Sequence, residues 1–96
     1  MVEVEVIGPL TFKLEQNYPN PFNPSTSTKY SVASSGHNNL SVYNMIGEVV
    51  SVLVDEQVEE GFYEGAFGAS NLPSGAYFYR LTSDNSVEIK KMLLMK

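Results

Sequence analysis

Short runs of apolar residues, broken by glycine, proline and asparagine, recur along this chain, and within them apolar and polar side chains alternate with a period of two. That period puts successive side chains on opposite faces of an extended strand. No stretch of ten or more residues keeps the spacing of an amphipathic helix. The pattern predicts strands over residues 27–32, 39–43, 48–54, 61–67, 76–82 and 87–95, with a shorter apolar piece at 12–15. Residues 33–38 and 83–86 read as turns, 68–75 as a long turn-rich connection, and the acidic residues 55–60 as a solvated loop. Asn44 and Gly47 bracket a four-residue connection that suits a type I turn closing a hairpin, with Gly47 taking the positive φ that follows.

Six or seven short strands separated by such turns predict an all-β chain, an immunoglobulin-like Greek-key β-sandwich of about seven strands. Ninety-six residues fill one domain of this kind. Val2, Val4 and Val6 alternate with Glu3 and Glu5, so residues 1–10 read either as a leading strand or as a linker from an upstream domain, with residues 11–96 as the domain itself.

Charge narrows the partners. The formal net charge is −5 and the chain has six Lys and Arg together, too few to neutralise a phosphate backbone, so nucleic acid is excluded as a partner. Asp55, Glu56, Glu59, Glu60 and Glu64 crowd the middle, whereas the last seven residues carry Lys90, Lys91 and Lys96 and no acid. The C-terminal end is therefore a local positive patch on an acidic body. There is no cysteine, hence no disulfide and no thiolate chemistry. The first residues have acids where a signal peptide needs a basic region, and no run approaches the ~20 apolar residues of a membrane-spanning helix. If the domain is exported, its targeting peptide belongs to a longer parent chain.

Candidate chemistry is sparse. His37, the single histidine, sits in a turn without a second ligand or an orienting partner, and no serine stands in a nucleophile-elbow pattern. The carboxylates of residues 55–60 lack the spacing that wraps a calcium ion. The reading assigns no catalytic residue, no metal and no cofactor. Two segments stand out instead. In Gln16-Asn-Tyr-Pro-Asn-Pro-Phe-Asn-Pro-Ser-Thr26, Pro19, Pro21 and Pro24 each follow Tyr or Asn, which forces extended or turn backbone and removes three donors. Phe22 of this segment is expected to plug the open end of the sandwich, with Asn20 and Asn23 bonding nearby backbone. In the last strand, Val87, Ile89, Lys91, Leu93 and Met95 share one face and Glu88, Lys90, Met92, Leu94 and Lys96 the other, so apolar groups fall on both. One face packs inward; the other must be covered or used, for example by strand addition to a partner. Tyr77 and Tyr79 share one face of their strand, an aromatic pair that could stack sugars in a carbohydrate-binding module or simply stabilise a sheet.

Taken together, the proline segment, Val42-Tyr-Asn-x-x-Gly-Glu48, Leu72-x-Ser-Gly-x-Tyr-Phe-Tyr-Arg-Leu81 and Lys90-Lys-Met-x-x-x-Lys96 resemble, in order and spacing, the type A C-terminal sorting domain of the bacterial type IX secretion system. The resemblance implies a non-enzymatic module covalently joined to an upstream cargo domain. It implies recognition by outer-membrane translocon and shuttle proteins, removal by a sortase-like peptidase, and a route through the periplasm to the cell surface or the medium. Machinery recognition is expected at Gly75, Tyr77, Val87, Ile89, Lys90, Lys91, Met92, Leu93, Leu94, Met95 and Lys96; Pro19, Asn20, Pro21, Phe22, Asn23, Pro24 and Gly47 are the structural motif. Thr28, Asn38, Gly65 and Gly68 depart from the family pattern and are expected to weaken their strands locally. A carbohydrate-binding or purely structural immunoglobulin-like accessory module of a secreted enzyme is the alternative.

Overall fold

The computed structural model describes residues 11–96, so the reading of residues 1–10 lies outside the described residues. Seven strands run in the order β1 (Lys13–Leu14), β2 (Ser25–Val32), β3 (Gly36–Tyr43), β4 (Val49–Val58), β5 (Gly61–Gly68), β6 (Gly75–Thr82) and β7 (Val87–Leu94). All paired strands are antiparallel, in one sheet ordered β1-β2-β5 and a second ordered β4-β3-β6-β7. The hairpins β3–β4 and β6–β7 stay within the second sheet, while β2 to β3, β4 to β5 and β5 to β6 change sheet. These crossings make the Greek-key sandwich that the turn spacing predicts.

The two inner faces meet in a core of Leu14, Phe22, Tyr30, Val32, Leu40, Val42, Val58, Phe67, Ala69, Tyr77, Tyr79, Leu81, Met92 and Leu94. Burying each large apolar side chain here contributes about 1.5–3 kcal/mol. At the β3–β4 hairpin, Asn44 Oδ1 accepts from the amides of Ile46 (3.1 Å) and Glu48 (2.9 Å), and Gly47 has φ of +89°. The side chain of Asn44 thus satisfies the turn's backbone, and glycine supplies the left-handed residue at no steric cost.

Two readings need correction. β3 begins at Gly36, inside the expected turn, and β4 continues through Asp55, Glu56 and Gln57 to Val58, so most of the expected acidic loop is strand and the connection shrinks to Glu59 and Glu60. β4 is an edge strand with one neighbour, and its charged side chains reach water without leaving the ladder. Gly65 is likewise no mere weakness. A Cβ there would lie 3.0 Å from Leu40 Cδ2 on the facing sheet, so the glycine is the gap into which Leu40 fits. Asn38 is fully buried, its Nδ2 donates to Gly36 O at 3.1 Å, and its Oδ1 has no partner among the described residues.

Candidate functional site

β7 is the end strand of the four-stranded sheet, and its pleat divides the expected recognition residues into two groups. Met92 and Leu94 point into the core and are 1% exposed, and Tyr77, which pairs with Met92, is buried beside them at 4%. In the folded domain these three support the strand from within. Glu88 and Lys90, on the same side, are half-buried. Val87, Ile89, Leu93 and Met95 face outward with 54, 56, 37 and 59% exposure, and Lys91 between them is exposed as well. Gly75 is exposed opposite Leu94. Lys96 is tied to the 70–74 loop: its amide donates to Ser74 Oγ (3.1 Å) and its Nζ to Ser70 O (2.7 Å).

The proline segment explains what covers the edge of this strand. On one side it continues along β2, with Glu15 N donating to Lys29 O (2.9 Å) and Tyr18 and Ser27 exchanging both backbone bonds (2.8 and 3.1 Å). On the other side it meets β7. Gln16 Nε2 donates to Lys91 O (2.7 Å), Asn20 Oδ1 accepts from Leu93 N (2.9 Å), Phe22 N donates to Leu93 O (2.9 Å), and Met95 N donates to Phe22 O (3.0 Å). Glu88 Oε1 accepts from Leu14 N at 2.8 Å. Residues 14–22 are thus a seam that closes one side of the sandwich and uses up the edge groups of β7 from Lys91 to Met95. Strand addition there would have to displace the seam, so the exposed outward face, not this edge, is what β7 offers.

Within the seam, Phe22 is 1% exposed and its ring meets Phe67 at 5.9 Å between centroids, as the sequence leads one to expect; Asn20 bonds backbone, whereas Asn23 is exposed. Pro19 and Pro21 leave the turn exposed, and Pro24 O accepts from Ala69 N at 2.9 Å. Thr26 Oγ1 donates to Pro19 O (2.8 Å) and accepts from Asn17 Nδ2 (3.0 Å). Thr28 donates to Glu15 O at 2.8 Å, so the residue that departs from the family pattern is another stitch of the seam.

Tyr79, fully buried, is its anchor in the core. Its hydroxyl accepts from Asn17 N (2.8 Å) and donates to Glu15 O (2.7 Å). Burial pushes the Tyr79 phenol above its usual 10.0, with the neighbouring Thr28 hydroxyl and the hydrogen bond from the Asn17 amide opposing that rise; burial also raises Tyr30. Tyr79→Phe should cost about 1–3 kcal/mol, because it leaves the buried Asn17 amide without its acceptor and the Glu15 carbonyl with Thr28 as its remaining donor. A phenol with a raised folded-state value contributes stability that is present below pH 10 and lost as pH rises through the higher folded value. Thermal melts from pH 8 to 12 check both: the variant should start lower and lose less at alkaline pH.

With Tyr77 at 4% and Tyr79 at 0% exposure, neither ring can stack a sugar, which removes the platform on which the carbohydrate-binding alternative stood. His37 Nε2 lies 2.6 Å from Asp55 Oδ1, and both are more than half exposed, an ordinary surface pair. Among the described residues, no group of three His, Asp or Glu side chains converges as a metal site.

Residues 16–95 match the family described as the secretion system C-terminal sorting domain. The chain belongs to this family. No curated protein and no solved structure matches it. A type IX sorting domain is not itself catalytic; it is a signal, which implies contact with the secretion machinery and export across the outer membrane toward the cell surface or the medium. What sequence reasoning missed in this sorting domain is the rest of the outer face of the second sheet. Register places Val49, Tyr43, Phe78 and Lys91 in one row and Val52, Ser41, Arg80 and Ile89 in the next. Irregularities between Leu40 and Ser41 and between Val42 and Tyr43 shift the pairing of β4, which hides the alternation in its valine-rich run.

Proposed function

We propose that this domain is a portable export address: it directs an upstream cargo domain across the outer membrane by engaging translocon and shuttle proteins of the type IX system. Its contact surface includes the outward side of β7, with Val87, Ile89, Lys91, Leu93 and Met95, bordered by Lys90, Lys96 and Gly75. Tyr77, Met92 and Leu94 serve recognition by holding that strand in register. A sortase-like peptidase then removes the domain and attaches the cargo to the cell surface. The observation that carries the reading is the family match over residues 16–95, and the exposure of an apolar, lysine-bearing strand face supports the choice of surface.

A periplasmic reporter carrying residues 11–96 at its C-terminus should appear on the surface of a type IX-competent host, and its surface form should have lost the mass of the domain. Retention of the intact fusion in the periplasm would defeat the export reading. Delivery without loss of mass would defeat only the processing step.

A further inference from the structure

The two outer faces of this sandwich differ in kind. On the three-stranded sheet, Ser25, Ser27 and Lys29 alternate outward beside Glu64, Ala66 and Phe62, a mostly polar face that carries two exposed aromatic side chains, Phe62 (72%) and Tyr18 (82%), the latter bridged to Ser27. On the four-stranded sheet, Val49 (53%) and Val52 (52%) on β4 lie in register with Tyr43, Phe78 and Arg80 on the middle strands and with Ile89 and Lys91 on β7. Met45 and Ile46, at 65 and 79% exposure, extend this surface at the β3–β4 turn. Its cations are Arg80 and Lys91; the acid paired into its rows is Asp55, at one corner and engaged with His37. In a chain of net charge −5, a face whose rows carry, among the described residues, one carboxylate, Asp55 at a corner beside His37, is a pronounced asymmetry.

We propose that this whole face, centred on Arg80 and Tyr43, is where a protein of the export machinery holds the domain, and that the partner presents an apolar surface with carboxylates placed to meet Arg80 and Lys91. The proposal rests on the export reading and extends its contact from one strand to four. Arg80 is built for such a contact. Its guanidinium lies over the Tyr43 ring, 4.7 Å from the centroid, and donates to the Tyr43 hydroxyl, contacts that favour one placement of the side chain while Arg80 stays exposed. Arg, Tyr, Phe and Met are the residues enriched in the centres of protein interfaces. A second copy of this chain fits poorly, because a two-fold axis through the face would bring the Arg80 and Lys91 pairs together. An anionic membrane fits poorly as well, since polybasic membrane segments carry clusters of about 4–8 Lys or Arg.

The test compares surface delivery of a reporter fused to the chain with that of its Arg80→Glu, Val52→Asp and Ile89→Asp variants, and with Phe62→Asp and Lys29→Glu on the opposite face. The face variants should lower delivery at least tenfold, with folded fusion accumulating in the periplasm, while the opposite-face variants stay within twofold of the unaltered fusion. Melting of the purified chain shows whether each variant folds. If either aspartate variant melts out, Val52→Thr combined with Ile89→Thr keeps the β-branching and takes its place, with a fivefold loss expected. Undiminished delivery by Arg80→Glu and the valine and isoleucine variants overturns the proposal while leaving the export reading intact. Retention of the unaltered fusion overturns both. A dimer in solution that Ile89→Asp dissolves would assign the face to a second copy instead. Sedimentation with phosphatidylcholine–phosphatidylglycerol vesicles that Arg80→Glu abolishes would assign it to lipid.

Discussion

Replacing Phe22 with alanine should lower the stability of the domain by about 3–5 kcal/mol, the range for removing a buried aromatic ring that its surroundings cannot refill. In a domain of this size each kcal/mol is worth roughly 4–8 °C, so the melting temperature should fall by more than about 12 °C. The ring is fully enclosed and packs against Phe67, and its own backbone carries two of the bonds that hold β7, from Phe22 N to Leu93 O and from Met95 N to Phe22 O. Losing the ring therefore loosens the edge too. Amide exchange at Leu93 and Met95 should quicken more than at Tyr79 or Leu81, which sit in the centre of the sheet. A melting temperature within a few degrees of the unaltered chain would show that the proline segment is an ornament on the sandwich rather than one of its walls.

Deleting residues 92–96 should abolish cooperative folding altogether. Met92 and Leu94 are each 1% exposed, and truncating either to alanine costs about 2–5 kcal/mol. Removing both, together with the seam bonds to Leu93 and Met95 and the strand pairing with Gly75, Ala76 and Tyr77, costs as much as the total margin of about 5–15 kcal/mol typical of a small domain. Circular dichroism melts of the shortened chain should show no transition. A retained cooperative melt would mean that the core closes without its last strand. The expectation also bears on how the export signal is mapped: failure of a shortened tail to be delivered follows from unfolding alone. Met95→Ser and Lys91→Gln, which leave the core untouched, separate recognition from folding.

Much of this was legible in the chain, and the reasons for the rest are physical. The strands around Leu40, Tyr79 and Thr28 follow from period-two alternation, and the Asn44–Gly47 turn follows from its side chains, because both signals are local. The extension of β4 through Asp55 and Glu56 was not legible, since an edge strand tolerates the same acids as a loop. The seam was not legible either, because its bonds to the last strand join residues 71 to 75 positions apart; the prolines announced only that the segment could not be a helix or a central strand. The outer face of the four-stranded sheet depends on register across four strands, and two irregularities between β3 and β4 scramble it in the sequence.

The seam also imposes an order in time. Residues 20–22 have left the ribosome long before residues 93–95 have been joined to the chain, and neither group can complete its hydrogen bonds without the other. A translation product stopped a few residues early would carry every upstream strand and still lack the closing contact. For a domain that serves as an address, closure of the fold therefore waits on residues 93–95.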